Sequence, residues 1–334
     1  MQAIGSVLLV FSILFPSKTW YAPDQSLNVQ VKGAGGDVTL VMLDFMGKVI
    51  ESDAAVQVRG DRTVDLKQFW GPQLRTAGTY LLIAVPSAMM TANREKAVTR
   101  FVGTPLVIGV REDTRRDAPP GPMVVKVEPL QFAVISTDKG DMTAVFYYDV
   151  APDTVANFLS LAAGGFYDGL TFHRVVPGFV IQTGDPRGDG TGGPGYHIEA
   201  EFNGREHREG VLSMARQEDP VEKQGAMPRA DAMNSAGSQF FICLNYARTM
   251  QLNNRYTAFG KIAEGMDTVN AIAGVPTDPK TDRPKTPLLV KSVRLVSVTA
   301  DNDPYTAMFS MMSASTTAPA PAPTTAPASA PKAP

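Results

Sequence analysis

The chain is poor in reactive side chains: one cysteine and three histidines among 334 residues. A single thiol, Cys243, excludes an internal disulfide framework. Set within Phe240-Phe-Ile-Cys-Leu244, it reads as a small buried hydrophobe rather than a nucleophile. His173, His197 and His207 lack metal-ligand spacing, and no second cluster completes His197-Ile-Glu199, so neither metal nor cofactor is expected. Excess positive charge is missing too. Lys and Arg number 31 against 33 Asp and Glu, a net charge of −2, whereas phosphate binding needs clustered cations; nucleic acid is therefore not an expected partner. No apolar run is long enough to span a bilayer. The nearest, Ile4-Gly-Ser-Val-Leu-Leu-Val-Phe-Ser-Ile-Leu-Phe15, has the length of a signal-peptide core. It lacks a preceding Lys or Arg and a clear small-x-small cleavage site. We read residues 1–19 first as an imperfect export signal, which would place the protein in the periplasm or cell envelope. A hydrophobic first strand, compatible with a cytoplasmic protein, is the alternative.

What is present divides the chain. The length suits about two domains, and 44% hydrophobic residues can fill sizeable cores. From 20 to 117, short apolar runs recur between Gly, Asp and Asn turns. They include Leu27-Asn-Val-Gln-Val31, Val38-Thr-Leu-Val-Met-Leu43, Tyr80-Leu-Leu-Ile-Ala-Val85 and Pro105-Leu-Val-Ile-Gly-Val110. This spacing predicts an antiparallel β-sandwich, immunoglobulin-like in that Gly78-Thr-Tyr80 is similar to a tyrosine corner. It carries no catalytic constellation. Pro119, Pro120 and Pro122 mark a stiff linker over 118–124. A second domain is expected over 125–300. There, Pro152 opens a helix whose stripe is Val155, Phe158, Leu159 and Ala162, and Gly164-Gly165 ends it. A second helix carries Met266, Val269 and Ile272, and Leu289–Val298 closes the domain as a strand. Many strands with two helices predict a closed, capped barrel. From 301 to 334 the chain becomes a Ser, Thr, Ala and Pro tail that cannot bury enough apolar area to order itself.

The second domain holds unusual polar residues in apolar frames. The segments are Phe172-His-Arg-Val-Val-Pro-Gly-Phe-Val-Ile-Gln182, Gly190-Thr-Gly-Gly193, Leu212-Ser-Met-Ala-Arg216, Asn234-Ser-Ala-Gly-Ser-Gln-Phe-Phe-Ile242 and Leu252-Asn-Asn-Arg-Tyr-Thr-Ala-Phe-Gly-Lys261. In this order they strongly resemble the cyclophilin family of peptidyl-prolyl cis-trans isomerases, from near 129 to near 299. The resemblance implies an eight-stranded antiparallel barrel with two capping helices. It also implies an enzyme that assists protein folding by acting on X-Pro bonds of polypeptides. It does not extend to the sandwich or the tail.

The chemistry makes these residue types intelligible. Amide resonance opposes rotation with a barrier of roughly 18–20 kcal/mol, and no bond needs breaking. The twisted bond must be bound better than the planar one. As it twists, the prolyl nitrogen gains a localised lone pair that a fixed cationic donor stabilises; Arg is always charged and rich in donors. The resemblance assigns that role to Arg174, with Gln182 orienting it and the substrate carbonyl. It implies an apolar proline slot of Phe179, Val180, Phe241 and Leu252, backbone contacts near Ala215, Arg216 and Gln239, and a rim turn of Gly190, Thr191, Gly192 and Gly193. His173, among the substrate-binding positions, is read as either a structural or a groove-edge residue, since amide rotation requires no proton abstraction. Departures are Val180 for a common Met, Gln251 for a Trp, and Tyr256 for a rim His. The first two predict weak binding of cyclosporin. Residues 217–233 exceed the spacing expected of a compact member, as either a flap over the groove or a solvated insertion. A monomer is expected. A proline-segment binder without useful turnover is the competing reading.

Overall fold

Alternating apolar runs between turn residues form strands because a pleated strand sends successive side chains to opposite faces. The computed structural model describes residues 13–33, 36–90, 97–112 and 123–306. Most of the export-signal segment, the prolines of the linker and the Pro/Ala tail beyond 306 lie outside them. Strands Ile13–Pro16, Asn28–Lys32 and Arg62–Asp65 form one small antiparallel sheet. The end of the N-terminal apolar run is thus a sandwich strand, with Leu14 buried. A larger sheet runs in the order Trp20–Tyr21, Val124–Pro129, Val102–Arg111, Gly78–Pro86, Asp37–Asp44 and Val49–Ile50, and Val56–Arg59 also pairs with Asp37–Asp44. Between the sheets lie Val29, Val31, Leu40, Met42, Leu82, Ile108 and the indole of Trp70. Tyr80 donates its hydroxyl to Gln73 O at 2.9 Å, tying the strand start to the chain just upstream as a tyrosine corner does.

Two boundaries differ from the sequence expectation. The strand Val124–Pro129, expected to lie at the linker and the start of the second domain, belongs to the sandwich sheet, where Val125 and Val127 enter the sandwich core. The chain turns at Leu130, whose N–H donates to Pro105 O at 2.8 Å, and passes directly into the next domain. At the other end the fold continues past 300. Tyr305 is fully buried; its hydroxyl donates to Gln131 O at 2.6 Å and accepts the N–H of Phe146 at 3.0 Å.

The second domain is one curled sheet of eight antiparallel strands. Their order is Arg174–Val176, Val180–Thr183, Phe240–Cys243, Val211–Met214, Ala258–Glu264, Gly140–Phe146, Gln131–Thr137 and Val290–Ser297. The segment before Arg174 meets the last strand, with Gly169 N donating to Val290 O at 2.8 Å and Phe172 N to Leu288 O at 2.9 Å. These bonds tie the two edges into a barrel. Helices Pro152–Ala163 and Met266–Ala273 cap it; the remaining helical turns are short. The Glu201 carboxylate accepts the free N–H groups of Asp153 and Thr154 at 3.1 and 2.7 Å, so the first helix starts capped. Phe146, Phe158, Tyr167, Phe240 and Phe259 stack and edge one another inside the barrel, which is therefore filled rather than hollow.

Sandwich and barrel are fused. The outer face of the large sandwich sheet presents Val41, Leu43, Leu81, Ile83, Val85 and Val107, which join Leu130, Phe132 and Tyr148 in one continuous buried cluster. Phe45 of the sandwich meets Tyr148 of the barrel with ring centroids 6.5 Å apart. Thr79 donates its hydroxyl to Tyr148 O at 3.2 Å, and Arg111 pairs with Asp153 at 2.6 Å.

Candidate active site

The eight-residue spacing between Arg174 and Gln182 is a hairpin distance. Pro177, Gly178 and Phe179 turn the chain, and antiparallel register sets Arg174 opposite Gln182. Register continues the row: Gln182 faces Phe241, and Phe241 faces Ser213. Directly opposed residues share a face of the sheet, so a cation, an amide and an aromatic ring stand side by side on the barrel's outer wall. Arg174 Nη1 lies 3.5 Å from Gln182 Oε1. Gln182 Nε2 donates to Gln239 Oε1 at 3.0 Å, and Gln239 Nε2 donates to the carbonyls of Gly190 and Gly192 at 3.0 and 2.8 Å. The guanidinium is held from the other side by Asp282, whose Oδ2 is 3.5 Å from Arg174 Nε. Sequence reasoning had no signal for Asp282.

These residues border a cleft of about 700 Å³. Its apolar part is Phe179, Val180, Phe241 and Leu252, closed by Tyr256, whose ring meets Phe241 edge-on at 5.7 Å. Behind Phe241 the buried His207 ring stacks at 6.2 Å, held by Asn253 Oδ1 at 3.1 Å and Ser213 Oγ at 2.9 Å. Burial pushes the His207 pKa below its ordinary value. An adjoining pocket of about 370 Å³ holds Gly190, Thr191, Gly192 and Gly193 and shares Gln182, Ala215 and Arg216 with the cleft. Its rim turn is built on Asp185. Burial alone would raise that carboxylate's pKa, but N–H groups of Arg187, Gly190 and Gly192 outweigh it and hold it low. A Cβ on Gly192 would sit 2.0 Å from Asp185 Oδ1, so this turn needs glycine.

One side chain is placed differently from the sequence expectation. His173 is 5% exposed and lines neither cleft nor adjoining pocket; the chain turns it inward while Arg174 turns out. Burial lowers its pKa, and it is a core residue rather than a groove-edge one. Arg216 borders the cleft as expected; its side chain is 1% exposed and its guanidinium is engaged within the fold. Its Nη1 and Nη2 donate to the two Glu222 oxygens at 2.9 and 2.7 Å, its Nε donates to Arg255 O at 3.1 Å, and its plane lies 4.3 Å from the Tyr256 ring centre. It anchors the long segment. Within 217–233, Asp219 caps the turn Pro220–Gln224, and Arg255 donates to the carbonyls of Gly225 and Ala226 at 3.1 and 2.7 Å. Glu218 and Glu222 form a cleft wall. Ala215 N–H already donates to Gln239 O at 2.9 Å, so that donor is occupied within the fold. Cys243 is fully buried, and burial pushes its thiol pKa well up.

The family described as cyclophilin type peptidyl-prolyl cis-trans isomerase/CLD matches residues 132–295, which leaves the sandwich outside the match. A peptidyl-prolyl cis-trans isomerase of Synechococcus elongatus is 46% identical over 129 residues, covering 39% of this chain and 78% of the relative. The Helicobacter pylori (strain ATCC 700392 / 26695) peptidyl-prolyl cis-trans isomerase is 41% identical over 145 residues, 42% of this chain and 79% of that one. Peptidyl-prolyl cis-trans isomerase B of Bacillus subtilis is 48% identical over 122 residues, 36% and 75% respectively. With its barrel sheet, its outer-wall cleft and these relatives, the chain belongs to the cyclophilin-type peptidyl-prolyl cis-trans isomerases.

Proposed function

We propose that the cleft turns X-Pro bonds of polypeptide segments by non-covalent binding of the twisted amide, with Arg174 as the electrostatic catalyst and Gln182 as its orienting partner. The observation that carries this reading is the row Arg174, Gln182, Phe241 across three adjoining strands. A proline ring seated against Phe241, Phe179 and Leu252 would bring its nitrogen toward the guanidinium. Uncatalysed exchange takes tens to hundreds of seconds, because twisting forfeits amide resonance. A cation beside the prolyl nitrogen favours the state in which the lone pair is localised, and so lowers the barrier without any covalent step. Gln182, itself fixed by Gln239, keeps the guanidinium from swinging away. The apolar slot excludes water, which strengthens the charge interaction.

The test is cis-trans exchange of a short Ala-Pro peptide, followed by NMR for the wild type and Arg174→Ala. Rapid exchange that collapses in the variant, with peptide binding kept, supports the assignment. Binding without accelerated exchange in the wild type would make this cleft a proline-segment receptor instead.

A further inference from the structure

We propose that Asp282 is a positioning residue for the isomerase reaction, holding Arg174 by its Nε edge so that the amino groups remain directed to the reacting bond. This rests on the reading of Arg174 given above. Arg174 lies in the edge strand Arg174–Val176, and its side chain is 39% exposed. A long, exposed side chain on an edge strand has many rotamers, and a catalyst that must meet one atom loses rate in each wrong one. On the cleft side it has a weak tether, Gln182 Oε1 at 3.5 Å from Nη1. On the far side the Asp282 carboxylate stands 3.5 Å from Nε. The closest approach of that ion pair is to Nε, while Nη1 faces Gln182.

The loop around Asp282 is built to deliver this carboxylate. Thr277 pairs with Pro284 in an isolated bridge, Asp278 N donates to Arg283 O at 2.8 Å, and Lys285 N donates to Pro276 O at 2.9 Å, so 276–285 is a tight hairpin. Asp282 N donates to Asp278 O, and Asp282 O accepts the N–H of Val175, the residue next to Arg174, at 2.8 Å. The backbone is thereby clamped to the strand that carries the catalyst. Asp282 has φ +57°, one of two non-glycine residues in the left-handed region among the described residues. Glycine would adopt that conformation more easily, but it would bring no carboxylate.

Asp282→Asn is the decisive variant. Asn tolerates the left-handed region as well as Asp does, so the loop and its bond to Val175 persist while the charge is lost. For exchange of an Ala-Pro peptide we expect kcat to fall roughly fivefold with little change in KM, the upper range for a half-exposed ion pair. In an Arg174→Ala background the same substitution should have no effect. The Nε–H resonance of Arg174, followed by NMR without substrate, should shift and exchange faster with water in Asp282→Asn. Wild-type kcat in Asp282→Asn would overturn the proposal. So would an equal loss with and without Arg174, since the loop would then act only on structure. If Arg174→Ala itself turns over like the wild type, the catalytic reading of Arg174 fails. The Nε–H signal still reports whether the pair exists. Asp282→Gly, which adopts φ +57° freely and removes the carboxylate, provides a second variant with the same expected kcat loss.

Discussion

Sandwich and barrel are both antiparallel, apolar and filled, yet they use their polar side chains differently. In the sandwich most of those side chains serve the backbone. Asp44 accepts the N–H groups of Met46 and Lys48, Asp65 those of Leu27 and Lys67, and Tyr80 bonds Gln73 O. In the barrel a chain of polar side chains addresses other side chains: Asp282, Arg174, Gln182 and Gln239 contact one another in sequence, and Arg174 and Gln182 line the cleft. Side chain–side chain bonds are the minority class in folded proteins. A run of them on an outer wall, ending on an apolar slot, is therefore the better guide to chemistry than fold or strand number.

The contrast can be broken at several points. The largest effect should come from Arg174→Ala, which we expect to lower kcat/KM by about two to three orders of magnitude, the usual loss on removing a preorganised transition-state donor. Its melting temperature should stay near that of the wild type, because the side chain is partly exposed. A large fall in stability would mean that the cleft row is structural after all, as in the sandwich. Next comes Phe45→Ala at the junction, with an expected loss of about 3 kcal/mol for a buried ring. Since the two regions share one core, denaturant unfolding should remain a single transition with both regions lost together. Two separated transitions would show that the regions are independent.

A smaller effect should appear with pH. His207 is buried, and its pKa lies below its ordinary value in the fold. Between the folded pKa and the ordinary value of about 6.5, the unfolded chain binds a proton that the folded one refuses. Stability from this group is thus complete above the unfolded pKa and declines as pH falls toward the folded one. The stability gap between wild type and His207→Gln should therefore widen as pH rises through the acid range and level off near neutrality. A gap independent of pH would contradict a neutral His207 behind Phe241. The smallest effect concerns Cys243. A thiol with a raised pKa and no exposure should resist alkylation in the native protein and react fully in denaturant; rapid native labelling would reveal opening of the barrel wall.

Much of this architecture was legible in the sequence, for physical reasons that also explain what was not. Period-2 alternation located the sandwich strands, and the five ordered motifs contain residues that border the cleft or the pocket beside it. Partners distant in sequence stayed hidden. Nothing in Thr281-Asp-Arg283 announces that Asp282 meets Arg174, since the contact depends on a hairpin lying along a sheet edge. Arg216 borders the groove as its motif position implies, but its bidentate partner Glu222, six residues on, was not legible in the sequence. His173 was ambiguous beside a strand start, where alternation has not yet set in. The fused core had left a trace: Tyr80-Leu-Leu-Ile-Ala-Val85 is apolar at consecutive positions, as a strand buried on both faces must be. Leu82 and Ala84 face the sandwich, and Leu81, Ile83 and Val85 face the barrel.

The pairing of the barrel's first strand with its last, Phe132 opposite Val296, bears on the order of events during synthesis. Every described strand of the sandwich lies before residue 130, so its contacts can close while most of the barrel is still to be translated. Domains fold in the order in which they emerge, and pairings distant in sequence form slowly. For that interval the nascent sandwich carries a bare apolar sheet face. The hairpin of Gln131–Thr137 and Gly140–Phe146 is the first element made after it. In the finished fold that face is covered by the barrel, whose opening hairpin is made long before its closing strand.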